Sequence, residues 1–189
     1  MRVIAGKFKG RKLKTVQGEM TRPTGDKVKE AVFHKMGPFF AGGYCLDLFA
    51  GSGSLGIEAI SRGMDKCIFI EKSSTAFRTI QKNVHLLQID HQCEIYRNNA
   101  YRAIQILAKK QQQFDLILVD PPYERGNYLE IINKIIKENI LRAYGFLYIE
   151  YSPKKEISFQ SEMFELVHEK KYNSTTCVMI LQKKKVENL

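Results

Sequence analysis

From residue 44 onward, short apolar runs alternate with segments whose apolar residues recur at helical spacing. The run "YCLDLFA" (44–50) reads as a buried strand, followed by a glycine turn and a helix over "SLGIEAISR" (54–62). "CIFIE" (67–71) is a second strand, and residues 73–87 then place Phe77, Ile80, Val84 and Leu87 on one helical face. "CEIYR" (93–97) is a third strand, followed by a helix aligning Ala100, Ala103, Ile104 and Leu107. In "FDLILVD" (114–120) four apolar residues, Leu116 to Val119, follow one another, as in parallel strands buried on both faces. Leu129, Ile132, Ile136 and Ile140 predict the next helix, and "GFLYIEY" (145–151) a fifth strand. The pattern then changes: "FELVHEKKY" (164–172) and "TCVMILQKK" (176–184) read as an antiparallel pair. Ahead of this series, "MRVIAGKFKGRKLK" alternates around Gly6 and Gly10 as a β-hairpin would. Pro23 and Gly25 then mark a turn, and Asp26 is placed to cap a helix starting at Lys27. Repeated strand–helix alternation with a closing hairpin predicts an open α/β sheet, mainly parallel, with one reversed strand.

At 189 residues the chain is expected to form a single domain around one core, residues 1–25 being an N-terminal appendage and 26–189 the core. The chain opens without the continuous apolar run of a signal peptide, and nowhere do eighteen apolar residues follow one another, so a cytoplasmic protein is expected. Cys45, Cys67, Cys93 and Cys177 form no C-x-x-C pair and lie in apolar runs, as buried reduced thiols do, and the four histidines are scattered. No metal site is expected. The charge balance adds more: 30 Lys and Arg against 20 Asp and Glu give a net +10, which favours polyanionic partners. Arg2, Lys7, Lys9, Arg11, Lys12 and Lys14 all precede the first acidic residue, Glu19, so the predicted hairpin is basic and unopposed.

Ligands of open α/β sheets sit beyond the carboxyl ends of the strands, at the point where strand order reverses. Two features fall there, a glycine loop with its acidic partner and a proline pair. Gly51, Gly53 and Gly56 follow the first strand in a G-x-G-x-x-G spacing, which lets backbone approach a ligand closely and offers helix N-terminal amides to an anionic group. Glu71, twenty positions after Gly51, ends the second strand where a carboxylate can accept from ribose hydroxyls. Both fit a nicotinamide cofactor as well as S-adenosylmethionine. The second feature, "DPPY" (120–123), separates them. Consecutive prolines have fixed φ and no amide donors, so the chain leaves the fourth strand along a rigid path with bare carbonyls. An exocyclic amine on a purine is a poor nucleophile while its lone pair is delocalised into the ring. The Asp120 carboxylate and Pro121 carbonyl can each accept one of its N–H groups, favouring a pyramidal nitrogen aimed at a methyl donor. Tyr123 can stack on the base. Hydride transfer has no use for this set.

The basic opening, then "TRPTGDKVKEAVF", "LDLFAGSGSLGIEAISRG", "FIEK" and "DLILVDPPY", in this order and spacing, resemble the RsmD family of small-subunit ribosomal RNA guanine-N2 methyltransferases. The resemblance implies a Rossmann-like class I methyltransferase sheet of seven strands, S-adenosylmethionine as cofactor, and transfer to N2 of one guanine in 16S rRNA within the small subunit. Carried onto these positions, it places Asp47, Phe49, Ala50, Gly51, Ser52 and Gly53 around the methionine end of the cofactor and Glu71 at the ribose. Asn99 and Ala100 fall at the adenine; an Asn99 that only caps the following helix is the competing reading. Asp120, Pro121, Pro122 and Tyr123 hold the amine and the base. Arg2, Lys7, Lys9, Arg11 and Lys12 are assigned to RNA, with Arg22 and Thr24 near the mouth of the site. No membrane and no metal are implied, and a monomer is the simplest assembly. Two other functions remain open at this point: an adenine-N6 methyltransferase using the same tetrapeptide, and a nucleic-acid-binding protein with a vestigial cofactor loop.

Overall fold

The computed structural model describes residues 1–16, 25–122, 128–155, 159 and 161–185. Seven strands form one sheet in the order β3-β2-β1-β4-β5-β7-β6. They are β1 (Tyr44–Leu48), β2 (Lys66–Glu71), β3 (Cys93–Arg97), β4 (Phe114–Val119), β5 (Leu141–Tyr151), β6 (Phe164–Lys171) and β7 (Cys177–Lys183). β1 pairs in parallel with both β2 and β4, and β7 runs antiparallel to its neighbours β5 and β6, so it is the one reversed strand. The order turns at β1, where the chain leaves outward to β2 and β3 and returns to β4. This is the switch point at which open sheets bind ligands.

The central strands bury both faces, and their residues alternate between two cores. Cys45, Leu116, Leu118, Tyr148, Val178 and Ile180 point to one side. There they meet α1 (Asp26–Lys35), α2 (Ser54–Ser61), α3 (Ser74–Leu86) and the N-terminal segment. Leu46, Leu48, Ile117, Val119, Leu147 and Ile149 point to the other, against α4 (Ala100–Lys109) and α5 (Tyr128–Lys137). By this alternation Asp47, Glu71, Asp120 and Glu150 belong to the first side.

Four local expectations are corrected. The opening hairpin closes through a single antiparallel bridge, Arg2 to Lys12, with turns at Gly6 (φ 80°) and Gly10 (φ 83°) between. Its amides are drawn away from a ladder: Ile4 and Ala5 donate to the Glu58 carboxylate and Lys7 to the Ser61 carbonyl. Asp26 is the first residue of α1 and not its cap, which is Gly25, and its carboxylate accepts from Arg2 Nε at 2.8 Å. The buried stripe of α5 is Tyr128, Ile131, Ile132 and Ile135; Leu129 is exposed. The expected phase counted Ile140, which is buried beyond the helix end. Strand β5 begins four residues early, its register slipping between Phe114 and Leu116 where Tyr144 takes a φ of 62°.

Candidate active site at the carboxyl edge of the sheet

Just past the ladder pairs Leu48↔Val119 and Val119↔Ile149 come Phe49, Asp120 and Glu150, each one residue beyond a paired position on adjacent strands. Phe49 sits at φ 62°, a left-handed conformation that is costly for an aromatic residue and tends to mark a functional turn. The chain then folds back at once: Ala50 donates to the Ile70 carbonyl and Gly53 to the Ala50 carbonyl at 2.7 Å. Gly51 (φ 57°) has nothing within 4 Å of where a Cβ would stand, so its backbone borders open space. Gly53, at φ 80°, starts α2 without a side-chain cap. Gly56 plays a different part. A Cβ there would collide with the Phe69 ring and stand 2.7 Å from Cys67 Sγ, so its hydrogen lets α2 lie directly on β2.

The carboxylates around this loop are already engaged. Asp47, almost fully buried, accepts from the Gly56 amide at 2.9 Å, satisfying one of the orphan donors at the start of α2. Burial pushes its carboxyl up to about 7, against the lowering effect of that hydrogen bond. Glu71 accepts from Gly51 N at 2.8 Å and Ser73 N at 2.7 Å, fixing the loop to the start of α3. Asn99 caps α4, its Oδ1 accepting from the Tyr101 and Arg102 amides at 2.9 and 3.4 Å. The capping reading therefore holds for this oxygen. Ala100 is buried in the first turn of α4.

Asp120 is half-buried, Pro121 buried and Pro122 exposed. Desolvation first, then the charges of Glu150 and Asp47, raise the Asp120 carboxyl well above the usual carboxylate range. Tyr123, Arg22 and Thr24 lie outside the described residues. Glu150 is a participant the sequence reading missed. It is 1% exposed and accepts from the Tyr148 hydroxyl at 2.9 Å. Its signal was a lone acid inside the apolar run "GFLYIEY", a position where charge is expensive unless used.

Sequence reasoning also missed what attaches the basic hairpin. Glu58 on α2 receives Ile4 N at 2.8 Å, Ala5 N at 3.0 Å and Arg62 Nε at 2.8 Å, with Lys29 Nζ at 3.5 Å. Lys29 donates to the Arg2 carbonyl and to Ser54 Oγ, the first residue of α2; burial lowers its pKa, opposed by Glu58. Asn83 on α3 accepts from Lys14 N, and its amide donates to the Lys14 and Ser52 carbonyls. Hairpin and glycine loop are thus held by the same side chains. Arg2, Lys7, Lys9, Arg11 and Lys12 all remain exposed around this anchor, though Arg2 is paired with Asp26.

The family model "Conserved hypothetical protein 95" matches residues 1–181, almost the whole of hairpin, loop and sheet. The protein named "Ribosomal RNA small subunit methyltransferase D" in Haemophilus influenzae (strain ATCC 51907 / DSM 11121 / KW20 / Rd) is 35% identical over 173 residues, 90% of this chain and 88% of that protein. The chain belongs to the RsmD family. This family member is 43% identical to a Bacillus subtilis (strain 168) protein named "Putative rRNA methyltransferase YlbH", over 90% of this chain and 92% of that one. Among solved structures, "Putative methyltransferase yhhF" from Escherichia coli superposes with a TM-score of 0.83 at 30% identity, covering 97% of this chain and 98% of that chain. The protein is an RNA methyltransferase of the Rossmann-like α/β type, and methylation of rRNA is its activity.

Proposed function

We propose that this RsmD-family enzyme transfers a methyl group from S-adenosylmethionine to the exocyclic N2 of a guanine in 16S rRNA of the small subunit. The observation that carries the reading is the alignment at the sheet edge. Asp120 and its two prolines leave β4 beside Phe49 of the glycine loop, on the side of the sheet that also carries Glu71. The donor set suits the cofactor. Gly51 borders open space, the Glu71 carboxylate is held at the strand end by two amides, and Asn99 stands where the next strand turns into α4. In this reading Asp47, Phe49, Ala50, Gly51, Ser52 and Gly53 form the methionine end of the pocket, Glu71 the ribose end, and Asn99 and Ala100 the adenine end. The cofactor, when bound, supplies an electrophilic methyl on a sulfonium.

The chain's own residues do the rest. The Asp120 carboxyl and the Pro121 carbonyl accept the two N–H groups of the guanine amine, and Tyr123 stacks on the ring with Pro122 stiffening the approach. Alkylation leaves the nitrogen cationic, and its proton must go to a base. A carboxylate whose burial raises its pKa is better matched to that task than an ordinary exposed one. Guanine N2 inside a paired helix is out of reach of such a pocket, so the target is a single-stranded or flipped base. The basic hairpin, with Arg22 and Thr24 beyond it, supplies RNA contacts, and the enzyme acts as a cytoplasmic monomer built as one domain.

Incubation with labelled S-adenosylmethionine and small subunits lacking the modification, followed by nucleoside mapping, tests this. N2-methylguanosine in 16S rRNA is expected; N6-methyladenosine would overturn the substrate assignment. Asp120→Ala should reduce turnover by two or more orders of magnitude while cofactor binding persists, and full activity in that variant would remove Asp120 from the chemistry.

A further inference from the structure

Two acid-free basic segments of this chain meet in the fold. Residues 1–16 carry six Lys and Arg and no acid, and residues 72–89 carry three, Lys72, Arg78 and Lys82, again with no acid. Together the two segments carry nine cations and no acid. The two segments are far apart in sequence and touch in the fold. Arg11 donates to the Leu86 carbonyl in the last turn of α3, and Lys14 is bound through both backbone groups to Asn83. The α3 face turned away from the sheet therefore continues the surface of the hairpin.

On that face Arg78, Lys82 and His85 are exposed, as is Lys72 just ahead of the helix. Arg78 and Lys82 are one turn apart, about 6 Å, and Lys82 flanks the Asn83 anchor. Among the described residues neither these two nor Lys72 forms an ion pair, nor do the hairpin's Lys7, Lys9, Arg11 and Lys12. His85 faces Asp90 at 3.7 Å at the end where Arg11 reaches Leu86. The other end opens toward the chemistry, since α3 starts beside Ser73, whose amide is held by Glu71. A band of unpaired cations running from the sheet's carboxyl edge along a helix and onto a hairpin is complementary to a strand of phosphates.

We infer that the exposed face of α3, through Arg78 and Lys82, together with Lys72 just ahead of the helix, is a second phosphate-binding surface that joins the hairpin to the active-site edge and guides rRNA along it. This inference rests on the proposed action on rRNA and adds where that RNA runs. The hairpin supplies one part of the contact and α3 the part nearer the reacting base.

The test uses the full chain and a transcript of 16S rRNA, with binding measured between low and moderate salt. Arg78→Ala with Lys82→Ala should lower the slope of log affinity against log salt by about 1.5 to 2, the loss of two phosphate contacts, and Lys72→Ala should lower it further by about 1. S-adenosylmethionine affinity, measured in parallel, should stay unchanged and report an intact fold. An unchanged slope, in a protein whose hairpin variants do flatten it, would overturn the inference. So would a defect seen only with assembled small subunits and not with the transcript, because the contact would then be to ribosomal protein. Wild-type protein that binds the transcript with a steep slope yet methylates neither it nor small subunits lacking the modification would instead refute the activity reading and leave the surface standing.

Discussion

Glu58→Ala tests how the basic hairpin is fixed to α2. The Glu58 side chain is 0% exposed, and so is that of Lys29, while Arg62 is 3% exposed. Removing the carboxylate leaves two buried cations without an anion and the amides of Ile4 and Ala5 without an acceptor. Breaking one buried ion pair costs about 3–5 kcal/mol, and a stranded buried amide about 1–3 kcal/mol. These effects share one cavity and do not simply add, so a loss of about 4 kcal/mol is expected. For a chain of this size that is roughly 8–16 °C in Tm. Urea unfolding reads the energy, and amide exchange at Ile4 and Ala5 locates it, with their protection falling more than the global change. A further variant sharpens the argument. Glu58→Leu combined with Lys29→Met and Arg62→Met removes every charge of this cluster and should recover part of the loss, but not all, because the two hairpin amides stay unpaired. A Glu58→Ala variant less stable by under about 1 kcal/mol would refute the reasoning.

Gly56→Ala places a methyl against the Phe69 ring and Cys67 Sγ, both in the fully buried core, and should cost about 1–3 kcal/mol by overpacking, read as a fall in Tm. Asp47→Asn keeps an acceptor for the Gly56 amide and removes the titration. With its pKa raised to about 7, wild-type Asp47 binds a proton in the fold that the unfolded chain has released, so stability is lost as pH rises from about 4 to 7. The variant should flatten that slope in a series of thermal melts, and an unaltered slope would exclude Asp47 as its source. Glu150→Gln removes a negative neighbour that helps hold the Asp120 carboxyl up, so the acid limb of kcat/KM should move to lower pH; a limb that stays put would separate Glu150 from the reacting group.

What the sequence made legible follows from what hydrophobic period encodes. β1 to β4 and the helices α2 to α4 lie where the apolar runs placed them, because strands buried on both faces leave no ambiguity of side. The candidate site was readable for the same reason, since the glycine loop, Glu71 and Asp120 are all next to strand ends. The failures share a cause as well. The hairpin lost its ladder, Asp26 its capping role, and the hairpin contacts of Glu58 and Asn83 went unnoticed because they span 20 to 70 residues. No local pattern announces that a backbone amide will be satisfied by a distant carboxylate. The phase of α5 was misread by counting an isoleucine that is buried but not helical, and β5 was cut short because its first residues pair across a bulge.

The same long-range contacts bear on how binding of RNA and cofactor relate. Asn83 holds the carbonyls of both Lys14 and Ser52, and Lys29 holds both Arg2 and Ser54, so neither the hairpin nor the glycine loop can shift without straining the other's hydrogen bonds. The α3 cations lie on the helix that carries Asn83. A phosphate strand that orders the hairpin against α3 therefore also restrains the loop proposed to hold the cofactor, and coupling between two ligands is reciprocal. The expected consequence is cooperative binding in which each ligand tightens the other, carried by ordering and without a large movement. The four carboxyls on this side of the sheet, Asp47, Glu71, Asp120 and Glu150, give the coupling an electrostatic direction. Burial and mutual repulsion raise the Asp47 and Asp120 carboxyls, and the cation of the proposed cofactor would offset part of that cost. Cofactor affinity measured with and without the 16S transcript reads this directly, and equal affinities would show that the shared anchors transmit nothing.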